Sequence, residues 1–319
     1  TRESAATTRR EILQRGTAAL IDDHIAAWDA RWNASDVVVA GDDGCQHALR
    51  FAVYHLNAAA TPDDPRVSIG ARGLTGDSYY GHIFWDTDTF LLPFYTYTWP
   101  EAARAMLLYR HRTLPGARAK AAALGYRGAF YAWESADTGE ETTPRGVLGP
   151  DGREVDYPTA TQATHISADV AYATWNYWQA TGDDAFLRDA GAEILLDTAR
   201  FWASRVTRGA DGRDHIRAII GPDEYHEGVD DNAYTNVLAR WNLLRALETA
   251  ALLRQHWPER WSALAQQLAL ADDELNGWQD VAAHLVTGQN LTTGLVEQFA
   301  GYAQLDYIDL ATFTPRSTT

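Results

Sequence analysis

Apolar residues recur at helical spacing along most of this 319-residue chain, and this pattern limits the folds that it can adopt. Residues three and four positions apart share one face of a helix, whereas strands would need alternation, which hardly occurs here. The pattern predicts about nine helices, at 9–32, 46–60, 87–99, 101–112, 115–124, 161–181, 184–206, 231–257 and 259–275. Only residues 215–220 predict a short strand, within a loop. The chain is therefore predicted to be all-α, built from αα-hairpins that are separated by long loops.

Two of the predicted loops, 61–80 and 133–161, are long and rich in Gly, Pro, Asp and Thr. In a compact helical domain such loops are usually either functional or disordered. A third segment, 221–227, packs acids and aromatic rings into a Gly-Pro turn ahead of a helix. A carboxylic acid beside aromatic rings typically has a raised pKa, as a general acid requires. The alternative interpretation is a solvated acidic loop in which Asp231 or Asn232 caps the next helix.

Charge and cysteine content exclude several classes of protein. The net charge of -16 argues against nucleic acid and anionic membranes as partners. Cys45 is the only cysteine, so neither an intrachain disulfide nor a cysteine-rich metal site can form. His82 and His165 lack the spacing of zinc motifs, so no metal is expected. No apolar run reaches transmembrane length, and the first residues contain no secretory apolar core. These features together predict a cytoplasmic protein.

Long sequence motifs follow one another in a characteristic order. They are RGLTG at 72–76, GHIFWDTD at 81–88, WESADTG at 133–139, HISAD at 165–169, GPDEYHE at 221–227 and DNAYTN at 231–236. Long matches of this kind are far more specific than a short spaced pattern. In sequence and in order they closely resemble glycoside hydrolase family 65, and the resemblance covers nearly the whole chain. That family contains inverting phosphorylases acting on maltose, trehalose, kojibiose and nigerose, together with some hydrolases.

The resemblance implies an (α/α)6 barrel, a toroid of six inner and six outer helices with its site at one end. Residues 1–319 would then form a partial catalytic domain, incomplete on its C-terminal side, in which 1–32 is a leading helix or a linker. The N-terminal β-sandwich and the small C-terminal β domain of the family are not expected in this chain. Family members also place a Lys-Gln pair and a Ser-rich phosphate loop after the general acid. Because the only lysine, Lys120, precedes Glu224, we expect these features beyond residue 319.

Glu224 matches the general acid of the family, and inorganic phosphate would be the co-substrate, with no other cofactor. Inversion requires an acid at the leaving oxygen and a nucleophile on the opposite face of the sugar. Phosphate is already an anion, so one protein carboxyl group would be sufficient to convert an α-linked glucose disaccharide into β-glucose 1-phosphate and a released sugar. Two alternatives stay open: an inverting α-glucoside hydrolase of the trehalase or kojibiose hydrolase type, and an inactive sugar-binding or structural fragment. A homodimer is also left open.

The pKa of Glu224 is expected to be raised by burial or by a neighbouring carboxylate, for which Asp223 and Glu227 are the candidates. The resemblance implies that Trp85 and Asp86 contact the glucosyl unit. The alternative for Asp86 is the N-cap of the following helix, and one residue can fill both roles.

Trp133 and Glu134 resemble a second sugar-contacting pair, and the alternative is a tryptophan that anchors its loop to the barrel. The predicted substrate-binding set is completed by Arg72, His165, Tyr225 and Asn232. Arg72 has a structural alternative, and His165 has the alternative of a loop histidine with satisfied hydrogen bonds. Acceptor specificity is expected to depend on the loop 141–161, because this loop is long, polar and adjacent to Trp133 and Glu134.

Overall fold

The computed structural model describes residues 2–148, 152–290 and 292–307, and it confirms that the chain is mostly helical. Within these ranges the α-helices are α1 (Arg2–Arg15), α2 (Thr17–Ser35), α3 (Asp43–Ala59), α4 (Leu92–Thr98), α5 (Pro100–Arg112), α6 (Leu114–Ala123), α7 (Thr159–Gln162), α8 (Ile166–Thr181), α9 (Asp184–Phe186), α10 (Ala192–Arg205), α11 (Ala233–His256), α12 (Pro258–Gln267) and α13 (Asp272–His284). Among the described residues, no helix combines the length and the apolar character that crossing a membrane would require.

Four short strands form two hairpins in the described part of the chain. β1 (Gly146–Leu148) pairs with β2 (Glu154–Asp156), and β3 (Thr207–Arg208) pairs with β4 (Asp214–His215), both antiparallel. The strand predicted at 215–220 is therefore only partly correct. Its first residue belongs to β4, and Ile219 forms an isolated bridge with Val229 farther along the chain.

Several predicted helices are divided or have different boundaries in the structure. The helix predicted at 161–181 is divided between α7 and α8, because residues 163–165 are not helical. The segment 9–32 is divided between α1 and α2, because Gly16 adopts a φ of 78°, which favours glycine. The segment 87–99 begins as a π-helical turn, Thr87–Leu91, and Pro93 follows in the first turn of α4. The single helix predicted at 259–275 is wrong. α12 ends at Gln267 and α13 begins at Asp272, and Ala269 between them has a positive φ of 47°.

Helix α8 lies at the centre of the packing and contacts α4, α5, α10 and α11. Most of its residues are buried, and so are most residues of α10. Their large rings fill the core: Trp175 belongs to α8, and Phe201 and Trp202 belong to α10. By contrast, Ser35 is the one buried residue in α2, the second helix of the 1–32 segment.

The predicted site residues lie where several elements begin or end. His165 immediately precedes α8, Asn232 immediately precedes α11, and Trp85 lies just before the π-helical turn that leads into α4. Because α8 packs against both α4 and α11, these ends meet on one side of the helical assembly.

Candidate active site

The loop that carries Glu224 is held at its base by backbone hydrogen bonds. Ile219 and Val229 exchange two N–H···O bonds of 2.9 Å each. Gln162 accepts one bond from the Ile220 N–H through its backbone oxygen and another from the Gly228 N–H through its side chain, both 3.0 Å. Residues 221–228 therefore form a closed loop with Glu224 near its tip.

Asn232 fixes the end of this loop to α11. Its Oδ1 accepts hydrogen bonds from the Thr235 N–H and hydroxyl, both 3.0 Å, as an N-cap does. Its Nδ2 donates to the Gln298 carbonyl oxygen at 3.3 Å. A Cβ on Gly221 would lie 2.3 Å from Asn232 Nδ2, so only glycine fits this approach. The structure thus supports the capping interpretation of Asn232, and its contact with substrate stays a prediction.

Glu224 is exposed at the rim, and its carboxyl group has a raised pKa. Desolvation by surrounding groups is the main cause of the raised pKa. A protonated His165 would lower the pKa, whereas the negative charge of Asp86 raises it further. The predicted carboxylate neighbours, Asp223 and Glu227, are not among these causes. Asp223 instead accepts a hydrogen bond of 2.9 Å from Gln298, which lowers its own pKa.

Asp86 is available to bind a ligand because its side chain does not cap the helix. Its backbone is already helical, with φ of -52° and ψ of -40°, and its carboxylate makes no capping hydrogen bond. The capping alternative for Asp86 is therefore wrong, and the half-buried carboxylate lies within electrostatic reach of Glu224.

Aromatic rings gather around His165. The ring centroid of Trp85 lies 4.7 Å from that of His165, 6.5 Å from that of Trp133 and 6.2 Å from that of Tyr234. The two tryptophan planes differ by only 28°. The structure therefore brings three predicted site residues together and adds Tyr234, whose role the sequence did not predict. Flat apolar rings of this kind suit the C–H faces of a sugar, with polar groups between them fixing its orientation.

His165 is fully buried and belongs to a hydrogen-bond network. Its Nδ1 lies 2.7 Å from Asp169 Oδ2, and the Tyr234 hydroxyl donates to Asp169 Oδ1, also at 2.7 Å. The His165 Nε2 atom is buried, and no residue in the described part of the chain forms a hydrogen bond with it. Asp169 and Tyr234 are functional candidates that sequence reasoning missed, although the four-residue spacing from His165 to Asp169 at a helix start was a usable signal.

Glu134 is buried and points to His82, whose Nδ1 lies 2.9 Å from Glu134 Oε2. The side chain of Trp133 is 3% exposed and packs edge-on against Phe84. Trp133 therefore anchors its loop in the core, as the alternative interpretation stated, while the same ring borders the aromatic cluster.

A buried ion pair holds the backbone of this second motif. Glu141 Oε2 lies 2.6 Å from Lys120 Nζ and accepts the Trp133 N–H at 2.9 Å, and Glu141 Oε1 accepts the Glu134 N–H at 3.3 Å. Burial lowers the pKa of Lys120 to about 8, although the negative charge of Glu141 acts to raise it. Burial by itself would raise the pKa of Glu141, but its contacts with Lys120 outweigh this effect and lower the pKa.

Glu141→Gln is expected to destabilise the protein by about 2 kcal/mol at pH 7, because a buried ammonium group loses its charged partner. The pair requires an ionised Glu141 and a protonated Lys120, so its stabilisation is present between the lowered pKa of Glu141 and about pH 8, and it is lost as the pH rises through about 8. Denaturant unfolding should therefore show the difference between the two proteins shrinking above that pH. A difference that grows with pH would contradict this account.

Arg110 connects the segment that carries Trp85 with the segment that carries Trp133. Its guanidinium donates to both Asp88 oxygens at 3.2 and 2.5 Å, to the Phe84 carbonyl at 3.0 Å and to Ser135 Oγ at 3.4 Å. Ile83 and Ser135 exchange backbone hydrogen bonds of 2.9 and 3.0 Å. Arg110 and Asp88 are almost completely buried. This pair, which sequence reasoning missed, supports the positions of both tryptophan motifs.

Two predicted site residues are not joined to this cluster. Arg72 lies in an exposed turn, where its carbonyl accepts hydrogen bonds from the Thr75 N–H and hydroxyl at 3.0 and 2.7 Å. Tyr225 is 96% exposed. For Arg72 the geometry matches the structural alternative, and substrate contact by either residue stays a prediction.

Among the described residues, one group places metal-ligand atoms close together. Carboxylate or imidazole atoms of Asp214, Asp280 and His284 lie within 4.8 Å of one another. Arg208, however, donates to Asp214 at 2.8 Å and to Asp280 at 2.6 Å. Its guanidinium already supplies the positive charge there, so we assign this cluster a structural role between β3, β4 and α13.

Comparison with known proteins shows the family of this chain. Residues 50–319 match the family model of the glycosyl hydrolase family 65 central catalytic domain. The chain is 43% identical over 300 residues to a kojibiose phosphorylase of Caldanaerobacter subterraneus subsp. tengcongensis, covering 93% of this chain and 39% of that protein. It is 44% identical over 286 residues to a 1,2-alpha-glucosylglycerol phosphorylase of Bacillus selenitireducens, covering 88% and 37% respectively.

A trehalose phosphorylase and a solved structure extend the comparison. The chain is 38% identical over 258 residues to an alpha,alpha-trehalose phosphorylase of Thermoanaerobacter brockii, covering 80% of this chain and 31% of that protein. A solved structure named "Putative kojibiose phosphorylase from human microbiome" superposes with a TM-score of 0.86 at 26% identity, covering 98% of this chain and 40% of that one. The chain thus spans about two fifths or less of the length of these relatives. By the match over most of its length and the identity to these enzymes, the chain belongs to glycosyl hydrolase family 65.

Proposed function

We propose that the protein acts as an inverting phosphorylase on an α-linked glucose disaccharide, with Glu224 as general acid. The observation that carries this proposal is the raised pKa of Glu224 at the tip of an anchored loop, within electrostatic reach of Asp86 and His165. A raised pKa is what a carboxylic acid that protonates a leaving sugar oxygen requires. The names of the relatives support phosphate as the second substrate.

In the proposed reaction, the Glu224 carboxyl group donates its proton to the glycosidic oxygen while the bond from that oxygen to the glucose C1 breaks. A phosphate oxygen attacks C1 from the opposite face, giving β-glucose 1-phosphate and the released sugar. Trp85 would stack on the glucosyl ring, and the carboxylates of Asp86 and Glu134 would accept its hydroxyl hydrogens. Glu224 is left as a carboxylate and regains a proton from solvent.

We also propose that the helices belong to an (α/α)6 barrel, with the site at one end of it. Support comes from the superposition with the solved structure and from the arrangement of α8 and α10. Most residues of these two helices are buried, as those of inner helices of such a barrel would be.

Phosphate dependence tests the proposed reaction. The protein is incubated with kojibiose, trehalose, maltose or nigerose, with and without inorganic phosphate, and glucose 1-phosphate and glucose are measured separately. Formation of the β-anomer of glucose 1-phosphate only when phosphate is present is the expected result. Release of glucose without phosphate would favour the hydrolase instead, and turnover of none of these sugars would contradict both.

We further propose that the loop 141–161 sets acceptor specificity. A cleft of about 690 Å³ is lined by residues from this loop, including Arg145, Tyr157 and Thr161. The pKa of Tyr157 is raised first by desolvation and also by the charges of Glu224 and Glu134, so this wall of the cleft adjoins the acid. Part of the loop, 149–151, lies outside the described residues.

Exchange of the loop 141–161 for that of a trehalose phosphorylase is expected to change which sugars the protein accepts in the reverse reaction with β-glucose 1-phosphate. Glu141 and Thr143 should be kept in the exchanged protein, because their side chains hold the Trp133–Glu134 backbone. Initial rates with a panel of acceptor sugars provide the measurement. An unchanged order of preference would show that specificity is determined elsewhere.

A further inference from the structure

The buried Nε2 atom of His165 has no hydrogen-bond partner among the described residues, although it belongs to the aromatic cluster beside Trp85. We propose that this nitrogen accepts a hydrogen bond from one hydroxyl of the bound glucosyl unit, and that Asp169 is the positioning residue that holds His165 in the required tautomer. This inference rests on the proposed function, since it assumes that a sugar occupies the site beside Trp85.

The hydrogen bonds around His165 determine its tautomer. Asp169 Oδ2 lies 2.7 Å from His165 Nδ1, and a carboxylate can only accept, so Nδ1 carries the proton. The other Asp169 oxygen accepts the Tyr234 hydroxyl at 2.7 Å. Desolvation and the charge of Asp169 raise the pKa of Tyr234, so this phenol keeps its proton and remains a donor. In neutral His165 the Nε2 atom therefore bears a lone pair.

The described surroundings of His165 offer no acceptor for a proton on Nε2. Its ring is enclosed by those of Trp85, Trp133 and Tyr234, with centroids at 4.7, 5.4 and 5.7 Å. Among the described residues Nε2 has no partner, so a second N–H there would be buried without an acceptor. A protonated His165 would also lower the pKa of Glu224 and oppose its function as an acid.

Because Nε2 bears a lone pair, its partner must be a hydrogen-bond donor. A neutral sugar hydroxyl can donate a hydrogen bond to Nε2, whereas the phosphate dianion has one P–OH donor beside three oxygens that share its negative charge and that the lone pair would repel. The charges of His165 and Asp86 both affect the pKa of Glu224, so the aromatic cluster lies near the proposed acid. His165 is thus assigned to the glucosyl unit and not to the attacking phosphate.

Nitrogen-15 NMR of the histidine rings tests the tautomer without any need for activity. The protein is expected to show His165 as the neutral Nδ1–H tautomer at pH 7, assigned by its loss in His165→Gln. In Asp169→Asn the Tyr234 hydroxyl is expected to continue donating to the side-chain oxygen, which leaves the amide N–H facing His165 Nδ1. Because this N–H donates, Nδ1 must accept, and the His165 proton moves to Nε2. Tyr234→Phe retains the carboxylate and is the matched control, with the Nδ1–H tautomer unchanged. An Nε2–H tautomer or an imidazolium in the unmodified protein would overturn the proposal.

Binding of glucose and its 2-, 3-, 4- and 6-deoxy analogues, measured by calorimetry, tests the hydroxyl contact. For one analogue the unmodified protein should lose affinity by up to about tenfold, as expected for one hydrogen bond. Asp169→Asn, in which Nε2 has become a donor, should show a smaller loss for that analogue and normal losses for the others. Circular dichroism melting confirms that this variant is folded. If each analogue loses the same affinity in both proteins, or if no sugar binds to the folded unmodified protein, the inference is wrong.

Different results would refute the proposed phosphorolysis and the proposed role of His165. A protein that shows the expected tautomer and the expected hydroxyl coupling but releases glucose without phosphate would refute phosphorolysis and leave the role of His165 intact. Phosphorolysis by a protein in which His165 is an imidazolium would refute only the inference.

Discussion

Replacing Glu224 with glutamine is expected to lower the rate of phosphorolysis by about 10²–10⁴-fold, the usual contribution of a general acid. Glutamine has nearly the same shape, but it has no proton to donate to the leaving oxygen. Glu224 is exposed and makes no hydrogen bond that holds the loop, since Gln162, Ile219 and Val229 do that. The loss should therefore appear in kcat, with the affinity for the disaccharide little changed.

Glu227→Gln is the matched control, because Glu227 is an exposed acid of the same loop and is not among the groups that raise the pKa of Glu224. Its activity should stay close to that of the unmodified protein. Steady-state kinetics on the three proteins, with melting curves to confirm folding, provide the comparison. Activity of Glu224→Gln within a few fold of the control would exclude Glu224 as the acid.

The raised pKa of Glu224 also has a consequence for stability. Because the folded protein binds this proton more tightly than the unfolded chain, the group destabilises the fold as the pH rises from its ordinary pKa through the raised one. Glu224→Gln should consequently melt at the same temperature as the unmodified protein, or slightly higher, at neutral pH. The activity of the unmodified protein should fall on the alkaline side, where Glu224 loses its proton.

Removal of the Arg110 charge is expected to have the largest effect on stability. Arg110→Met leaves the Asp88 carboxylate buried without its partner, and breaking a buried ion pair in this way costs about 3–5 kcal/mol. The Phe84 carbonyl would lose a hydrogen bond as well. Urea unfolding followed by circular dichroism gives the free energy of unfolding for comparison.

The double variant Asp88→Asn with Arg110→Met should recover part of this loss, because no unpaired charge then remains in the core. Arg66→Met is the matched control, since Arg66 pairs with Asp64 at the exposed surface, where ion pairs contribute little. If Arg110→Met and Arg66→Met unfold at the same urea concentration, the buried pair does not support the motifs as described.

Much of the local structure could be predicted because its causes are local. Helical periodicity located nearly every long helix, and the Gly-Pro turn correctly marked an exposed acidic loop ahead of α11. The break between α12 and α13 was missed because no glycine or proline marks it; the turn depends on the positive φ of Ala269. For Asn232, the sequence offered N-capping of α11 only as an alternative. The structure supports it, because Asn232 Oδ1 accepts the Thr235 N–H.

The sequence by itself determined that the chain is helical, that it belongs among the relatives whose motifs it carries, and that Glu224 is the candidate acid. Only the tertiary structure decided which groups meet: Asp169 with Tyr234, Asp88 with Arg110, and Glu224 with Asp86 in place of its chain neighbours. Periodicity and motifs depend on residues close in the chain. Desolvation, charge coupling and hydrogen bonding depend on distances in space between segments that folding brings together, and no spacing along the chain encodes them.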